Sequence, residues 1–342
     1  MKITMPILTL SKGGAQRMLA ELANAMAQRG HEVTVVMPPQ GEIDFPLHTQ
    51  VLRTKGTDIQ EEDLPAGDII LSNFYTLIEM AERASRKGKG KHVRLSLCYE
   101  PAFLPYNHVS FPTYNMTSNL IVLSKWQQTL IETIHGIRGE IVPAGVSGEF
   151  GNLQLREQEP LQIAAVFRKA EGGFSWHREQ DYLLSALLQV RREVPAVQIN
   201  MISPPGEYHA SPQLQEMKRM HNFQLYTPAN DTELNYHYNQ SHIFVSSSIY
   251  DTISLPALEA MKTGAAVVSL YSGGNMDYCR PGANCLLSYR HEGRLAADIL
   301  RLVRDTELRQ SLARAGENEA KLWTWERSGD RLEEVLQSFL RS

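Results

Sequence analysis

Short apolar runs alternate with amphipathic segments along almost the whole chain, and this alternation constrains the fold more than any other feature. Met18, Leu22 and Met26 lie on one face of a helix, whereas the apolar runs suit buried strands. Strands that alternate with helices form parallel sheets, so the sequence predicts an α/β protein. Strands are expected at Lys2–Ile7, Glu32–Met37, Asp68–Ser72, His92–Leu97, Asn119–Leu123, Glu140–Val142, Ile163–Phe167, Val197–Ile202, Phe223–Tyr226, His242–Ser246 and Ala266–Leu270.

The hydrophobic pattern lapses between Ala144 and Gln162, where glycine, glutamate, glutamine and proline prevail. A lapse of this kind marks a domain boundary. The chain of 342 residues is long enough for two separate cores. We therefore expect one domain over residues 1–145, a second over residues 160–325, and a final helix over residues 326–342.

Composition excludes several classes of protein. The formal net charge of −4 disfavours a nucleic-acid partner, because such a partner requires a basic face. The apolar stretch Ile3–Leu10 is too short to span a membrane, so we infer a cytoplasmic protein. The cysteines and histidines lack the spacing of a disulfide framework or a metal site, so no cofactor and no essential metal are expected. The three cysteines are Cys98, Cys279 and Cys285.

The segment Ser248–Glu259 contains the strongest functional pattern. Pro256 suits the first turn of a helix, because its φ is fixed and its missing N–H costs nothing there. The sequence therefore predicts a helix over Leu255–Thr263. The amides at its start would face an anion, which the positive end of the helix dipole favours, and a diphosphate fits this description. These amides belong to Thr252, Ile253, Ser254 and Leu255.

Two carboxylates flank these amides. Glu259 lies one turn into the predicted helix, where its carboxylate would accept hydrogen bonds from both hydroxyls of a ribose. Asp251 lies on the loop and would bind a sugar ring in the same way. Alternatively, Glu259 is a surface residue that stabilises the helix dipole, and Asp251 is a turn-forming residue.

This segment resembles the E-x7-E segment of the GT-B glycosyltransferases of family 4 (glycosyl transferases group 1). The family pattern is Glu-Gly-Phe-Gly-Leu-Pro-x-x-Glu-Ala, and this chain has Asp-Thr-Ile-Ser-Leu-Pro-Ala-Leu-Glu-Ala. Ser248 and Glu259 are in register, whereas Asp251 replaces the first glutamate and Thr252 and Ser254 replace the two glycines. A shorter carboxylate and a stiffer loop are expected to alter the choice of sugar.

Two glycine pairs also resemble loops of this family. Gly13 and Gly14 follow the first strand, so their amides can approach a phosphate or a sugar closely, although a tight strand-to-helix turn explains them equally well. The segment Gly273–Asp277 resembles a loop beside the nucleotide, and a β-turn is the alternative.

The family has an arginine after the first strand of the second domain and a lysine-glycine pair some residues later, and both meet the donor diphosphate. Arg168 matches the arginine. Alignment on Trp176 places His177 at the lysine position, and Lys169 or Arg178 are the alternatives. All four side chains could instead be solvated loop residues.

Many family-4 enzymes carry a histidine near the reacting sugar, at a position where this chain has Tyr99 and Glu100. The phrase Tyr-Glu-Pro is similar to that of a subset of bacterial surface-polysaccharide transferases. Glu100 would orient an acceptor hydroxyl or offset positive charge on the anomeric carbon. The alternative is a strand end with a buried ring and an exposed acid.

The resemblance implies a GT-B fold with two Rossmann-like domains, a cleft between them, and a C-terminal helix that packs back on the first domain. It implies a nucleotide-sugar donor held mainly by the second domain and a glycan, lipid-linked or small-molecule acceptor held mainly by the first. It also implies transfer with retention of anomeric configuration. The residues expected to act in catalysis are Asp251, Arg168 and Glu100.

Two alternative functions compete with a glycosyltransferase. A degenerate nucleotide-sugar-binding or scaffold protein would also explain the absent histidine and the lost glycines. A GT-B epimerase or phosphorylase is the other alternative, although no motif favours it.

The basic run from Arg83 to Arg94 either makes a peripheral contact with anionic lipid at the inner membrane or is a solvated helix end.

Overall fold

The computed structural model describes residues 1–157, 159–172 and 175–342. The chain divides into two compact units. The first unit comprises Met1–Gly145 and Thr324–Ser342, and the second comprises Val146–Trp323.

The first unit is built on a seven-stranded sheet in the order β3-β2-β1-β4-β5-β6-β7, with all neighbours parallel. An inner strand, β1, buries Ile3 and Met5 almost completely, as expected for a parallel sheet with helices on both faces. The strands are β1 (Lys2–Pro6), β2 (Glu32–Met37), β3 (Gln50–Arg53), β4 (Ile69–Ser72), β5 (Lys91–Leu95), β6 (Leu120–Val122) and β7 (Glu140–Ile141). The helices are α1 (Gly14–Gln28), α2 (Tyr75–Arg86), α3 (Glu100–Phe103), α4 (Asn107–Ser110) and α5 (Lys125–His135).

The second unit has, in its described residues, a six-stranded parallel sheet in the order β10-β9-β8-β11-β12-β13. Its core includes Ile163, Val245 and Val268 from three adjacent strands. The strands are β8 (Gln162–Val166), β9 (Gln198–Ile202), β10 (Gln224–Tyr226), β11 (Ile243–Ser246), β12 (Ala266–Leu270) and β13 (Leu286–Ser288). The helices are α6 (Gln180–Glu193), α7 (Pro205–His209), α8 (Pro212–His221), α9 (Asp231–Gln240), α10 (Leu255–Lys262), α11 (Leu295–Arg304) and α12 (Thr306–Ala320).

The predicted parallel α/β architecture is confirmed, but two strands were not predicted. Strands β3 and β13 each lie at one edge of their sheet. An edge strand is short and pairs on one side only, so its sequence carries a weak apolar signal. β3 is a four-residue strand without a fully buried side chain, and β13 has three residues.

The last helix, α13 (Trp325–Arg341), belongs to the first unit and packs on α1. Its apolar face buries Leu332 and Leu336. A Cβ on Gly329 would lie 2.8 Å from the Cβ of Ala25, so only glycine permits this close approach of the two helices. Arg29 forms an ion pair with Asp330, which adds a polar contact at the edge of the interface.

Candidate active site

The carboxyl ends of the six described strands of the second unit lie at one edge of its sheet, because all six are parallel. After β8 the chain builds one half of this sheet, through β9 and β10, and then crosses to build the other half from β11. Such a switch point leaves an opening between the loops that follow the two central strands, and ligands bind there in open α/β sheets. Arg168 follows β8 and Asp251 follows β11, so both flank the switch point.

Asp251 lies in a polar setting within the second unit. The hydroxyls of Ser248 and Ser254 donate hydrogen bonds to its carboxylate. Only 17% of its side chain is exposed. Burial raises the pKa of Asp251, whereas the positive charge of Arg178 and the two hydroxyls act in the opposite direction. Burial outweighs these neighbours, so the pKa of Asp251 lies above its ordinary value.

The loop from Asp251 to Ser254 is fastened to the loop that follows β12. The amide of Asp251 donates to the carbonyl of Ser272 at 2.8 Å, and the amide of Gly274 donates to the carbonyl of Asp251 at 2.9 Å. A Cβ on Gly274 would lie 1.7 Å from the carbonyl oxygen of Thr252. The second glycine of the pair singled out in the sequence is therefore required by close backbone contact, which a simple β-turn would not demand.

The start of α10 is arranged as predicted. Ser254 occupies the N-cap position with φ 48° and ψ 60°, which is the left-handed region that favours glycine. Pro256 lies in the first turn, and the Ser254 side chain makes no capping hydrogen bond in the described structure. Thr252 and Ile253 are largely buried beside this turn, and Leu255 is the first residue of the helix. Glu259 is half-buried one turn further along α10.

Arg178 was only an alternative in the sequence alignment on Trp176, which placed His177 at the lysine position, but the structure favours it as a functional residue. It lines a small cavity with Ser248, Ser254 and Pro256, directly before the first turn of α10. Its positive charge acts on Asp251. Glu179, the next residue, has φ 48°, a conformation that glycine adopts most easily. This conformation favours the alternative alignment, in which Arg178 and Glu179 correspond to the lysine-glycine pair.

His177, the other candidate for the lysine position, is not among the described residues that line this cavity. Its Nε2 is 3.9 Å from Oδ1 of Asp251, and its carbonyl accepts a hydrogen bond from the Ile249 amide. Burial, together with the charges of Arg178 and Arg168, lowers the pKa of His177 to about 4. The ring is therefore neutral at pH 7, which makes it a poor substitute for a lysine that binds phosphate.

The buried His177 ring predicts a fold that is sensitive to acid. Its pKa is about 4 in the folded chain, against 6.5 for an ordinary histidine. Because the unfolded chain binds this proton more readily, the free energy of unfolding should fall by up to about 3 kcal/mol as the pH drops from about 6.5 to about 4. Urea unfolding at pH 7 and pH 4.5 should show a smaller loss for His177→Gln than for the wild type.

Exposed His209 provides the control for this measurement. The variant His209→Gln should lose as much stability on acidification as the wild type does. If His177→Gln also loses that amount, the assigned environment of His177 is wrong.

Arg168 and Lys169 follow β8, and both donate hydrogen bonds to Glu207, a residue that the sequence did not indicate. Nε of Arg168 donates to Oε1 and Oε2 of Glu207, each at 2.8 Å, and Nη2 also donates to Oε1. The amide of Lys169 donates to Oε2 of the same carboxylate at 2.9 Å. Glu207 lies on the short helix after β9, so only the order of the strands brings it to Arg168.

Gly13 and Gly14 lie in the first unit. Gly13 is the N-cap of α1 and Gly14 is its first residue. They follow β1, which together with β4 flanks the switch point of that sheet. The loop is therefore at the edge where a ligand of the first unit is expected.

Glu100 differs from the sequence expectation of an accessible carboxylate. Its side chain is 2% exposed, and Nη2 of Arg94 donates to its two oxygens at 3.1 and 3.0 Å. The hydroxyl of Tyr114 donates to it as well. The Arg94 guanidinium is itself 1% exposed and lies 3.5 Å from the Tyr114 ring centroid. Glu100 is thus part of a buried ion pair, and the alternative of an exposed acid is also incorrect.

Among the described residues, no group of three or more His, Cys, Asp or Glu side chains could hold a metal ion. None of the described helices is both long and apolar enough to cross a membrane. In the basic run, Arg83 pairs with Glu79 and Lys87 with Glu61, so part of its charge is balanced within the first unit.

Comparisons with known proteins agree with this geometry. Residues 172–319 match the model of the family described as glycosyl transferases group 1, which is less than half of the chain. No curated protein sequence matches this chain significantly.

Solved structures match nearly all of the chain. A sucrose-phosphate synthase from Thermosynechococcus elongatus has 17% sequence identity and a TM-score of 0.80, with 100% of both chains covered. HepE from Anabaena, in complex with UDP and glucose, has 17% identity and a TM-score of 0.77 over 99% of this chain and 100% of that one. WaaG, a glycosyltransferase involved in lipopolysaccharide biosynthesis, has 13% identity and a TM-score of 0.74 over 98% and 99%.

These similarities establish the fold alone, because proteins of different function share a fold. The chain therefore has the GT-B fold, and its second unit carries the match to glycosyl transferases group 1.

Proposed function

We propose that this protein is a glycosyltransferase that moves a sugar from a nucleotide-sugar donor to a hydroxyl acceptor with retention of anomeric configuration. The observation that carries the proposal is the cluster of Asp251, Arg178 and the first turn of α10 at the switch point of the second sheet. A cation and the amides at the start of a helix suit a diphosphate, and a neighbouring carboxylate suits the sugar attached to it.

In the proposed reaction, the amides that precede Pro256 and the guanidinium groups of Arg168 and Arg178 bind the donor diphosphate. The bond between the anomeric carbon and the diphosphate breaks, and these donors stabilise the charge that grows on the leaving group. The acceptor oxygen forms the new bond on the same face of the sugar and gives its proton to the leaving diphosphate. Asp251 holds the sugar and offsets positive charge near the anomeric carbon, and no separate general base is needed.

The comparisons support a nucleotide-sugar donor and a role in bacterial glycan or glycoconjugate synthesis. HepE was solved with UDP and glucose, and WaaG acts in lipopolysaccharide biosynthesis. The matched region of the glycosyl transferases group 1 model includes Arg178, Asp251 and α10. We extend UDP-sugar binding to this chain on that basis, and we place the donor in the second unit.

The donor can be identified by thermal unfolding in the presence of UDP, GDP, dTDP and CMP sugars. A ligand that binds only the folded protein raises its melting temperature, so the correct donor should produce the largest increase. Sugar transfer to candidate acceptors would then be followed by release of the nucleoside diphosphate. Binding without transfer or donor hydrolysis, across all donors and acceptors tried, would favour the degenerate binding protein instead.

Glu259→Ala should weaken donor binding by about tenfold or more, because two hydrogen bonds from the ribose to a carboxylate would be lost. Isothermal titration calorimetry with the selected donor measures this change, and circular dichroism should show an intact fold. Glu307→Ala, at an exposed position in the first turn of α12, is the control and should bind as the wild type does. Unchanged donor affinity in Glu259→Ala would contradict the placement of the nucleotide.

A further inference from the structure

Glu207 is bound to Arg168 in a way that fixes the orientation of the guanidinium group. Its carboxylate accepts hydrogen bonds from Nε and Nη2 of Arg168, which is the two-pronged geometry that arginine and carboxylate groups prefer. Each side chain is 27% exposed, so solvent only partly screens the pair. Although burial opposes this effect, the hydrogen bonds and charge of Arg168 hold the pKa of Glu207 below its ordinary value.

The carboxylate also holds the main chain beside Arg168. The Lys169 amide donates to Oε2 of Glu207 at 2.9 Å. On the other side, Nε2 of Gln180 donates to the Arg168 carbonyl at 2.8 Å, and the Arg168 amide donates to Oε1 of Gln180. The loop that leaves β8 is therefore fixed through both its backbone and its arginine side chain.

The pair leaves one edge of the arginine available. Among the described residues, Nη1 of Arg168 donates no hydrogen bond, because Glu207 engages Nε and Nη2. A guanidinium can bind a carboxylate along one edge and a phosphate oxygen along another, since it has five N–H donors in a plane. Glu207 and a diphosphate can therefore bind Arg168 at the same time.

We propose that Glu207 is a positioning residue that holds Arg168 in the orientation needed to receive the donor diphosphate. This inference rests on the proposed function, and it adds a residue from the short helix after β9 to the donor site. An arginine without this partner has many rotamers, and ordering it on ligand binding weakens affinity. The alternative, in which Glu207 competes with the diphosphate for Arg168, predicts tighter binding when Glu207 is neutralised.

The test is calorimetric titration of UDP, with GDP in parallel, into the wild type, Glu207→Gln, Arg168→Ala and the double variant. Glu207→Gln keeps an acceptor for the Lys169 amide but loses the charge, and we expect its affinity for the nucleoside diphosphate to fall about tenfold. In the Arg168→Ala background, the same substitution should change affinity less than about twofold, because Glu207 acts through Arg168. A purely structural role would weaken both backgrounds equally.

Glu216→Gln is the matched control, since Glu216 pairs with Arg219 on the exposed face of a neighbouring helix at 3.5 Å. It should bind like the wild type, and thermal unfolding should confirm that all variants are folded. Equal or tighter binding by Glu207→Gln, or additive effects in the double variant, would overturn the positioning role while leaving the proposed function intact. Absence of binding by the wild type to both nucleotides would instead overturn the proposed function and this inference with it.

Discussion

Replacing Gly274 with alanine should lower donor affinity and sugar transfer by about 100-fold, because a displacement of about 1 Å in a site can have an effect of this size. The new Cβ would lie 1.7 Å from the carbonyl oxygen and 2.2 Å from the carbonyl carbon of Thr252. Both are backbone atoms of the loop that precedes α10, so no side-chain rotation relieves the contact. The loop and its amides must move away from the donor diphosphate.

The measurement is donor titration and initial transfer rate for Gly274→Ala beside Gly151→Ala. A Cβ on Gly151 would meet no heavy atom within 4 Å, so this control adds the same methyl group to the second unit without a contact. Gly151→Ala should behave like the wild type. Wild-type donor affinity in Gly274→Ala would show that the loop before α10 does not bind the donor.

The second large effect is expected at Arg178. Arg178→Ala removes the positive charge that acts on the Asp251 carboxylate, and it should destabilise the fold by about 0.5–3 kcal/mol, the usual range for a single substitution. It also removes a cation from the proposed diphosphate site, so transfer should fall by about 100-fold or more. Arg178→Lys keeps the charge and should retain activity within about tenfold of the wild type, because a lysine also binds phosphate, although as a point charge.

Urea unfolding and transfer rates of the two Arg178 variants test this assignment together. Arg219→Ala, which removes an exposed arginine from the same unit, is the control and should change neither quantity appreciably. Equal transfer by Arg178→Ala and the wild type would remove Arg178 from the donor site. Loss of activity in Arg178→Lys with normal stability would indicate that the site requires the planar guanidinium.

The helix that carries the candidate site could be predicted from the sequence, because the residue preferences that start a helix are local. Pro256 and the apolar face that follows it predict a helix over Leu255–Thr263, and the structure has α10 at Leu255–Lys262. Ser124 is the N-cap of α5, and its side chain accepts a hydrogen bond from the amide of Gln127, as serine commonly does at the start of a helix. Signals of this kind depend on neighbours within one turn, so no tertiary information is needed.

Several residues of the site could not be assigned in this way. Glu207 and Arg168 are separated by 38 intervening positions, and only the pairing of β8 with β9 brings their loops together. Glu100 was expected to be accessible to an acceptor or a sugar, but Arg94 on β5 and Tyr114 hold it in a buried cluster. Such partners are distant in sequence, and burial is decided by what packs on top of a residue.

The sequence by itself determined the alternation of strands and helices, the start of α10 and the position of the main motif, because periodicity, proline chemistry and residue spacing act within a few residues. Tertiary structure alone decided that Arg178, rather than His177, lines the cavity before α10, and that Gly274 must lack a side chain. Both facts depend on where the sheet places separate loops, and strand order is a property of the whole packed unit.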